Sequence, residues 1–581
     1  MNHPYHILKF ISIAMLLFFS CVDQKKEKPY NIVWLVAEDL SPFYLNAYGD
    51  SRAPTPHLDR LAREGVVFTQ GYSVSGVCAP SRSTLATGLY PNSFGAQNMR
   101  TLNLQPLSRE LGLVDYQAVP PPEVKMVSEI LRENGFYCTN NSKEDYQFFK
   151  SELAWDESGS FAHWRNRPNV STPFFSIFNF EVTHESKMWN FKKAKYERGA
   201  YPPKRKSTAT KKNNDGALVP LQVPDDLEVK VPPYLPQNEI GKNAMRRMYS
   251  NVVRMDRAVG KILQQLEEDE LLDETIIVWY SDHGGPLPRH KRLLYDSGLK
   301  VPLIIRFPDG SRAGQRDDRL VSFVDFPPTL LSMAGLPPPQ YMEGFAFEGK
   351  FKLKQPRDYI HAQADRFDER VDMIRAVRNK RFKYLKNFYP ERPYYLPVAY
   401  RERMEVMQEL LRLRNTDALD ENQALWFRTT KDVEELFDTE NDPHELKNLA
   451  NDPAYAEVLS DLRGECERWM KAIDDKGFID EMDLIAEFYP EGKPQLTAAV
   501  TFMIDQGKVT LNCDTEGARI GYRYGSEKAP HLGWIHYTDP IDLRENDTLE
   551  IIAHRLGFKP VVSKTFNGSI LENIYLPNPH D

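Results

Sequence analysis

Two apolar runs in this chain end abruptly in acids. YNIVWLVAEDL spans residues 30–40 and TIIVWYSDHGG spans residues 275–285. An unbroken apolar run of this length, with no polar alternation, reads as a strand buried on both faces. Such a strand needs helices on either side, and the intervening sequence supplies them. TPHLDRLAREGVVF has helical spacing and a Gly stop before a β-branched run. EVKMVSEILRENGFYCTNN repeats that order, and KNAMRRMYSNVVRMDRAVGKILQQLEEDELLDE is a long amphipathic helix leading into the second run. A third buried strand, STPFFSIFNFEVTHE, ends in His184. The pattern predicts an α/β fold around a large, mainly parallel sheet. Ligands of such sheets collect at the carboxyl ends of the strands. Here those ends carry Glu38 and Asp39, His184, and Asp282 and His283.

At 581 residues the chain exceeds one hydrophobic core. The sheet-bearing part is expected over 28–356, followed by a smaller α+β part over 357–480. In the latter, DMIRAVRNKRFKYLKNF reads as a hairpin, and DVEELFDTENDPHELKNLANDP as a strand, a turn and a capped helix. Over 494–575, QLTAAVTFMI, KVTLNC, ARIGYRYG and LEIIAHRLG are short strands between turns, which predicts an appended β-sandwich without a catalytic motif. The net charge of −8 argues against general nucleic-acid binding. The stretch Lys187–Pro236 is locally basic, either as a solvated insertion or as an electrostatic guide for an anionic substrate.

The N-terminus, MNHPYHILKFISIAMLLFFSCVDQKKEK, has an apolar run from Ile11 to Ser20 that is short for a bilayer span. With Cys21 directly after it, residues 1–21 read as a lipoprotein-type signal, an ordinary secretory signal being the alternative. Either predicts export, to the periplasm or surface of a bacterium, with membrane contact through a lipid anchor only. Of five cysteines, Cys138, Cys466 and Cys513 are an odd, widely spaced remainder, so no disulfide framework is expected.

The remaining cysteine opens VCAPSRSTLATGLYP, with Arg82 one helical turn after Cys78. Cys-x-Pro-Ser-Arg, continued by this Gly and Pro, resembles the signature of the type I, formylglycine-dependent sulfatases. The resemblance implies the alkaline-phosphatase-like sulfatase fold: a large mixed, mainly parallel sheet with a smaller C-terminal α+β subdomain. It also implies that a maturation enzyme of the host oxidises Cys78 to formylglycine, whose hydrated aldehyde carries the nucleophilic oxygen. A helix N-terminus favours an anion there, and Arg82 can hold it. The family binds one divalent cation, usually Ca2+. Its ligands would be Glu38, in the place of the usual Asp, with Asp39, Cys78, Asp282 and His283. His184 or Lys291 would give a proton to the leaving group. Lys291, in KRLLYDSGLKVP, and Lys143, in NNSKEDYQF, would hold the sulfate. Asp145 stands where the family has a histidine that helps expel sulfate.

SDHGGPLPRHKRLLY and VPPYLPQN are similar to segments of the N-sulfoglucosamine sulfohydrolase branch. The implied substrate is an N- or O-sulfated glycan such as a heparin or heparan fragment. Arg366, Asp368 and Glu369, in ADRFDER, are candidate sugar contacts. Two rival functions share parts of this pattern. A phosphodiesterase or phosphonate hydrolase of the alkaline phosphatase superfamily would share the sheet and the metal acids. A catalytically silent glycan-binding lipoprotein would account for Asp145. A homodimer stays open.

Overall fold

The computed structural model describes residues 29–99, 114–189, 220–524, 533–542, 548–566 and 569–575. The apolar runs lie in one eight-stranded sheet. Its strands are β1 (Asn31–Ala37), β2 (Val66–Tyr72), β3 (Tyr137–Asn141), β4 (Glu157–Ser158), β5 (Phe174–Phe180), β6 (Thr275–Ser281), β7 (Lys300–Arg306) and β8 (Gln315–Ser322). Their order is β4-β3-β5-β1-β6-β7-β2-β8. Central β1 pairs in parallel with β5 and β6. Only β7 runs against its neighbours, β6 and β2. The sheet is therefore mixed and mainly parallel, as the apolar runs predict.

The reason for the missing alternation is visible in β1. Ile32, Trp34 and Val36 point into one core, and Val33, Leu35 and Ala37 into another. Helices α1 (Pro56–Glu64) and α4 (Glu239–Glu268) cover the second core, while α2 (Cys78–Thr87), α3 (Val127–Glu133) and α5 (Phe326–Met333) cover the first. α4 starts at Asn238, whose side chain accepts from the N–H groups of Ile240 and Gly241. α2 ends at Gly88, whose φ of 80° suits a residue without Cβ.

A second, antiparallel sheet is ordered β12-β11-β10-β9, from β9 (Ile360–Ala364), β10 (Ile374–Arg378), β11 (Phe382–Asn387) and β12 (Glu434–Asp438). The expected hairpin is β10 and β11. Helix α6 (Ala456–Ala472) packs Leu459, Leu462 and Cys466 on Val377, Tyr384 and Leu436. The capped helix expected inside DVEELFDTENDPHELKNLANDP is not formed; the next long helix is α6. The carboxylate of Asp442 instead accepts from the N–H groups of Leu446 and Lys447, at 2.7 and 2.8 Å. Side-chain bonds of this kind hold a turn in place of a helix.

Beyond residue 500 come two small antiparallel sheets, of three and five strands. Val509 and Leu511 of one meet Leu549, Ile551 and Ala553 of the other in a shared core. Trp534 and Ile552 also pack against Leu153 of the main body. The expected signal at 1–21, with the rest of 1–28, and most of the basic stretch, 190–219, lie outside the described residues. No helix among the described residues is long and apolar enough to cross a membrane.

Candidate functional site

The chain leaves β1 through Glu38 and then Asp39, whose φ is 52°. That left-handed conformation is rare for a residue with a Cβ and is retained where surroundings enforce it. Here the surroundings are two other strand ends. The Asp39 N–H donates to Asp282 Oδ1 at 3.1 Å, and the Leu40 N–H to Ser281 Oγ at 2.9 Å. The Glu185 N–H, just after β5, donates to Asp39 Oδ2 at 2.7 Å. The ends of β1, β5 and β6 are thus stitched into one floor.

Cys78 enters from the other side, as the first residue of α2. Val77 supplies no side-chain cap, so the first N–H groups of the helix are left for whatever occupies the site. Cys78 Sγ lies 3.4 Å from His283 Nε2, 3.5 Å from Lys291 Nζ and 3.9 Å from Asp39 Oδ1. Asp39, Cys78, Asp282 and His283 each offer a donor atom, all within 4.8 Å of one another and all buried. His283 Nδ1 lies 3.0 Å from the Gly284 carbonyl oxygen. That bond keeps a proton on Nδ1 and turns Nε2 toward Asp39, 2.9 Å away. Two hard carboxylates beside one oriented imidazole fit a divalent cation. Burial would lower the pKa of His283, but Asp282 and Asp39 outweigh it and raise it to about 10.

Glu38 stands apart from that four-residue group. Its carboxylate oxygens lie 3.5 Å from Arg82 Nη2 and 3.4 Å from Lys143 Nζ. Burial raises its pKa, against the pull of both cations. Arg82 itself is shared: Nε is 3.1 Å from Asp282 Oδ2 and Nη1 is 2.8 Å from Asn179 Oδ1. Lys143 also lies 3.9 Å from Asp145 Oδ2, and Asp145, like Asp39, has a positive φ, of 60°.

Lys291 Nζ is 2.9 and 2.8 Å from the two carboxylate oxygens of Asp39. Burial disfavours its charge, but Asp39 and Cys78 raise its pKa. Asp39 is held well below the usual carboxylate range despite burial, by Lys291, His184 and His283. His184 is the opposite case. Burial and then Lys291 lower it to about 3, so its imidazole is neutral. Its Nδ1 accepts from the Ser186 N–H at 3.3 Å, which leaves the proton on Nε2.

Every residue singled out from the motifs except Arg366 and Glu369 is therefore drawn to this floor or its wall. Arg366 is buried and spent on Glu481, 2.7 Å away, and Glu369 accepts from the Ala399 N–H. Asp368 is paired with Arg292 at 2.6 Å. Three contributors were not singled out from the sequence: Asn179, Glu185 and Arg292. The first two flank His184 at the end of β5, where a polar residue closing an apolar run was the available signal.

The sequence matches the Sulfatase family model over residues 30–336. That match covers the sheet, Cys78 and every residue of the floor. This chain belongs to the sulfatase family. A second model, N-sulphoglucosamine sulphohydrolase, C-terminal, matches residues 289–410 of the sulfatase. An ulvan-active sulfatase of Formosa agariphila is 47% identical, over 95% of this chain and 96% of that one. The human N-sulphoglucosamine sulphohydrolase is 26% identical, over 76% of this sulfatase and 90% of the human chain. The expected resemblance to the heparan N-sulfatase branch is thus found, and the chain is a sulfuric ester hydrolase by family. A solved structure of a protein in complex with its substrate D-glucosamine-2-N,6-O-disulfate superposes with a TM-score of 0.52 at 19% identity. It covers 78% of the sulfatase and all of that chain, and shows the shared alkaline-phosphatase-like fold.

Proposed function

We propose that this sulfatase removes sulfate from a sulfated polysaccharide, ulvan first among the candidates, with a formylglycine made from Cys78 as nucleophile. The observation that carries the reading is the place of Cys78. It sits at an uncapped helix N-terminus, 3.5 Å from the Lys291 ammonium and within a buried set of cation donors.

The chemistry follows from the neighbours. Lys291 and Lys143 supply positive charge for the oxygens of a bound sulfate. One hydroxyl oxygen of the hydrated aldehyde at position 78 forms a bond to sulfur, and the bond from sulfur to the sugar oxygen or nitrogen breaks. The departing atom takes a proton from the Lys291 ammonium, which the attacking hydroxyl restores as it loses its own, while His184, neutral with its proton on Nε2, hydrogen-bonds the departing atom. Loss of the proton on the second hydroxyl then re-forms the aldehyde and expels sulfate. Asp145 is the candidate acceptor of that proton, in the place of the family's histidine. Asp39, Asp282 and His283 would hold the cation, calcium by the family's habit, which would offset sulfate charge; Glu38 would stand at its border. Arg82 holds Asp282 Oδ2 through one hydrogen bond from Nε, with Nη2 also 3.1 Å away.

The substrate reading weighs two relatives. The ulvan-active enzyme matches nearly the whole chain, at 47% identity. The N-sulphoglucosamine reading rests on 26% identity and on residues 289–410. Ulvan therefore ranks above heparan here. Reading residues 1–21 as a lipoprotein signal adds an exported protein anchored through Cys21.

The test is sulfate release by protein co-expressed with a maturation enzyme, offered ulvan oligosaccharides and N-sulfated glucosamine in parallel. Cys78→Ala is the control. Release from ulvan that is lost in Cys78→Ala supports the reading. Release from the N-sulfated sugar alone moves the substrate to the heparan branch. No release from any sulfated sugar or aryl sulfate, with formylglycine confirmed by mass, leaves a glycan-binding protein.

A further inference from the structure

Next to the floor, and on the side of the second sheet, lies a small pocket of about 40 Å³ whose walls include Arg292, Arg370 and Arg401. It adjoins the site through two chain neighbours. Arg292 follows Lys291 and bonds both Glu185 oxygens at 3.0 Å. Tyr400, which precedes Arg401, has its ring 6.1 Å from that of His184. The two acids in the pocket wall are already engaged. Asp365 is paired with Arg375 at 3.1 Å, and Asp372 with Lys431 at 2.7 Å.

Arg401 is the anomaly. It is 3% exposed, and no carboxylate pairs with it among the described residues. Nη2 donates to the Leu396 carbonyl at 2.5 Å, while Nε has no hydrogen-bond partner. Its other neighbours are aromatic, with the guanidinium 4.8 Å from the Trp426 ring and 5.5 Å from the Tyr395 ring. A buried charge is normally paired, and leaving one unpaired is costly. Burial, then the nearby charge of Arg292, lowers its pKa to about 10. Arg370 adds a third guanidinium, which donates to the Pro397 carbonyl and pairs with no carboxylate among the described residues. Arg292 and its partner Asp368 are both held at positive φ, of 75° and 52°. Retention of such strain in two paired residues marks the wall as shaped for a purpose.

We propose that the pocket between Arg292, Arg370 and Arg401 binds a second anionic group of the glycan, a carboxylate or a further sulfate, beside the sulfate that is cleaved. The pocket has room for such a group and little more, and the two guanidiniums without a carboxylate partner, Arg370 and Arg401, set beside the already paired Arg292, suit the planar fork of a carboxylate or the face of a sulfate. This rests on the sulfatase reading above and names the substrate class more closely: a polyanionic glycan, recognised at two charges.

The experiment is calorimetric binding to the Cys78→Ala protein, with methyl glucuronide, glucose 6-sulfate and neutral methyl glucoside as probes. Repeats in Arg401→Gln, Arg401→Lys and Arg370→Gln backgrounds locate the site; Arg370 is half-buried, so its variant guards against a folding defect at Arg401. The expected result is tighter binding of one anionic probe than of the glucoside, weakened about tenfold or more in Arg401→Gln and partly restored in Arg401→Lys. Preference for the glucuronide identifies a carboxylate, and preference for glucose 6-sulfate lost with Arg401 identifies a second sulfate. Equal binding of all three probes, or anion binding indifferent to both Arg401 and Arg370, overturns the proposal. Failure of the sulfatase reading shows separately, as absence of aryl sulfate turnover by formylglycine-bearing wild type.

Discussion

Lys291 Nζ bridges both carboxylate oxygens of Asp39, at 2.9 and 2.8 Å, and lies 3.5 Å from Cys78 Sγ. One ammonium thus touches the floor of the site and the residue proposed as the source of the nucleophile. Replacing it by Ala removes a preorganised charge from the sulfate position. Sulfate release by Lys291→Ala is expected to fall by about 10²–10³ in kcat, the usual cost of one such donor. Steady-state kinetics on an aryl sulfate measure this. A loss confined to KM would show that Lys291 only binds.

Arg82 acts through Asp282. Its guanidinium spans Asp282 and Asn179, a fork that a lysine does not reproduce. Arg82→Lys is therefore expected to weaken cation binding by about 10–100-fold, the usual effect of losing a partner of a ligand. Calorimetric titration of the apo protein with Ca2+ reads this without turnover. Unchanged affinity in a folded variant would remove Arg82 from the support of the donor set.

The parts of this site that were legible in the sequence are local ones. Cys78 and Arg82 sit within one turn of α2, and Glu38–Asp39 and Asp282–His283 each close an apolar run. Burial on both faces of β1 removes alternation, so the strand announces itself by composition alone. What was not legible depends on distant chain. Asn179, Glu185 and Arg292 gain their roles from partners on distant segments; the polar close of an apolar run was the signal for the first two, and nothing in its own neighbourhood marks Arg292. Two consecutive acids, Glu38 and Asp39, read as one pair. The positive φ of Asp39 lies between them, and their carboxylates meet different partners: Lys143 and Arg82 for Glu38, Lys291 and His283 for Asp39. The capped helix expected within 432–453 failed because Asp442 accepts from the backbone of a turn and Asn448 from the Leu436 N–H of β12, an alternative that the same residue types offer.

Asp145, proposed to stand in for a histidine of the family, lies 3.9 Å from Lys143. If its carboxylate takes the proton that releases sulfate, Asp145→Asn should stop the second half of the cycle and not the first. Protein quenched after exposure to an aryl sulfate is then expected to carry one SO3 group at residue 78, seen by mass spectrometry. Turnover slowed with no such adduct would assign the base elsewhere.

His554 ties the C-terminal sheets to the main body in a way that depends on pH. Its Nδ1 accepts from the Glu152 N–H at 2.8 Å, and its Nε2 donates to the Phe558 carbonyl at 2.9 Å. Only the neutral ring can do both, since a proton on Nδ1 would face another donor. Burial, more than the charges of Lys150 and Arg555, lowers its pKa to about 4 from an ordinary 6.5. Between those values the unfolded chain binds the extra proton and the folded one does not. The contribution is thus complete above pH 6.5 and is lost as pH falls toward 4, by about 1.4 kcal/mol per pH unit. Other buried histidines add to the acid sensitivity of the whole protein, so the informative quantity is a difference. Urea midpoints of wild type and His554→Phe, compared at pH 7 and pH 5, are expected to converge at the lower pH, because the variant has no imidazole to protonate. Parallel shifts in the two proteins would show that the ring is protonated without strain and that the tie is not proton-linked.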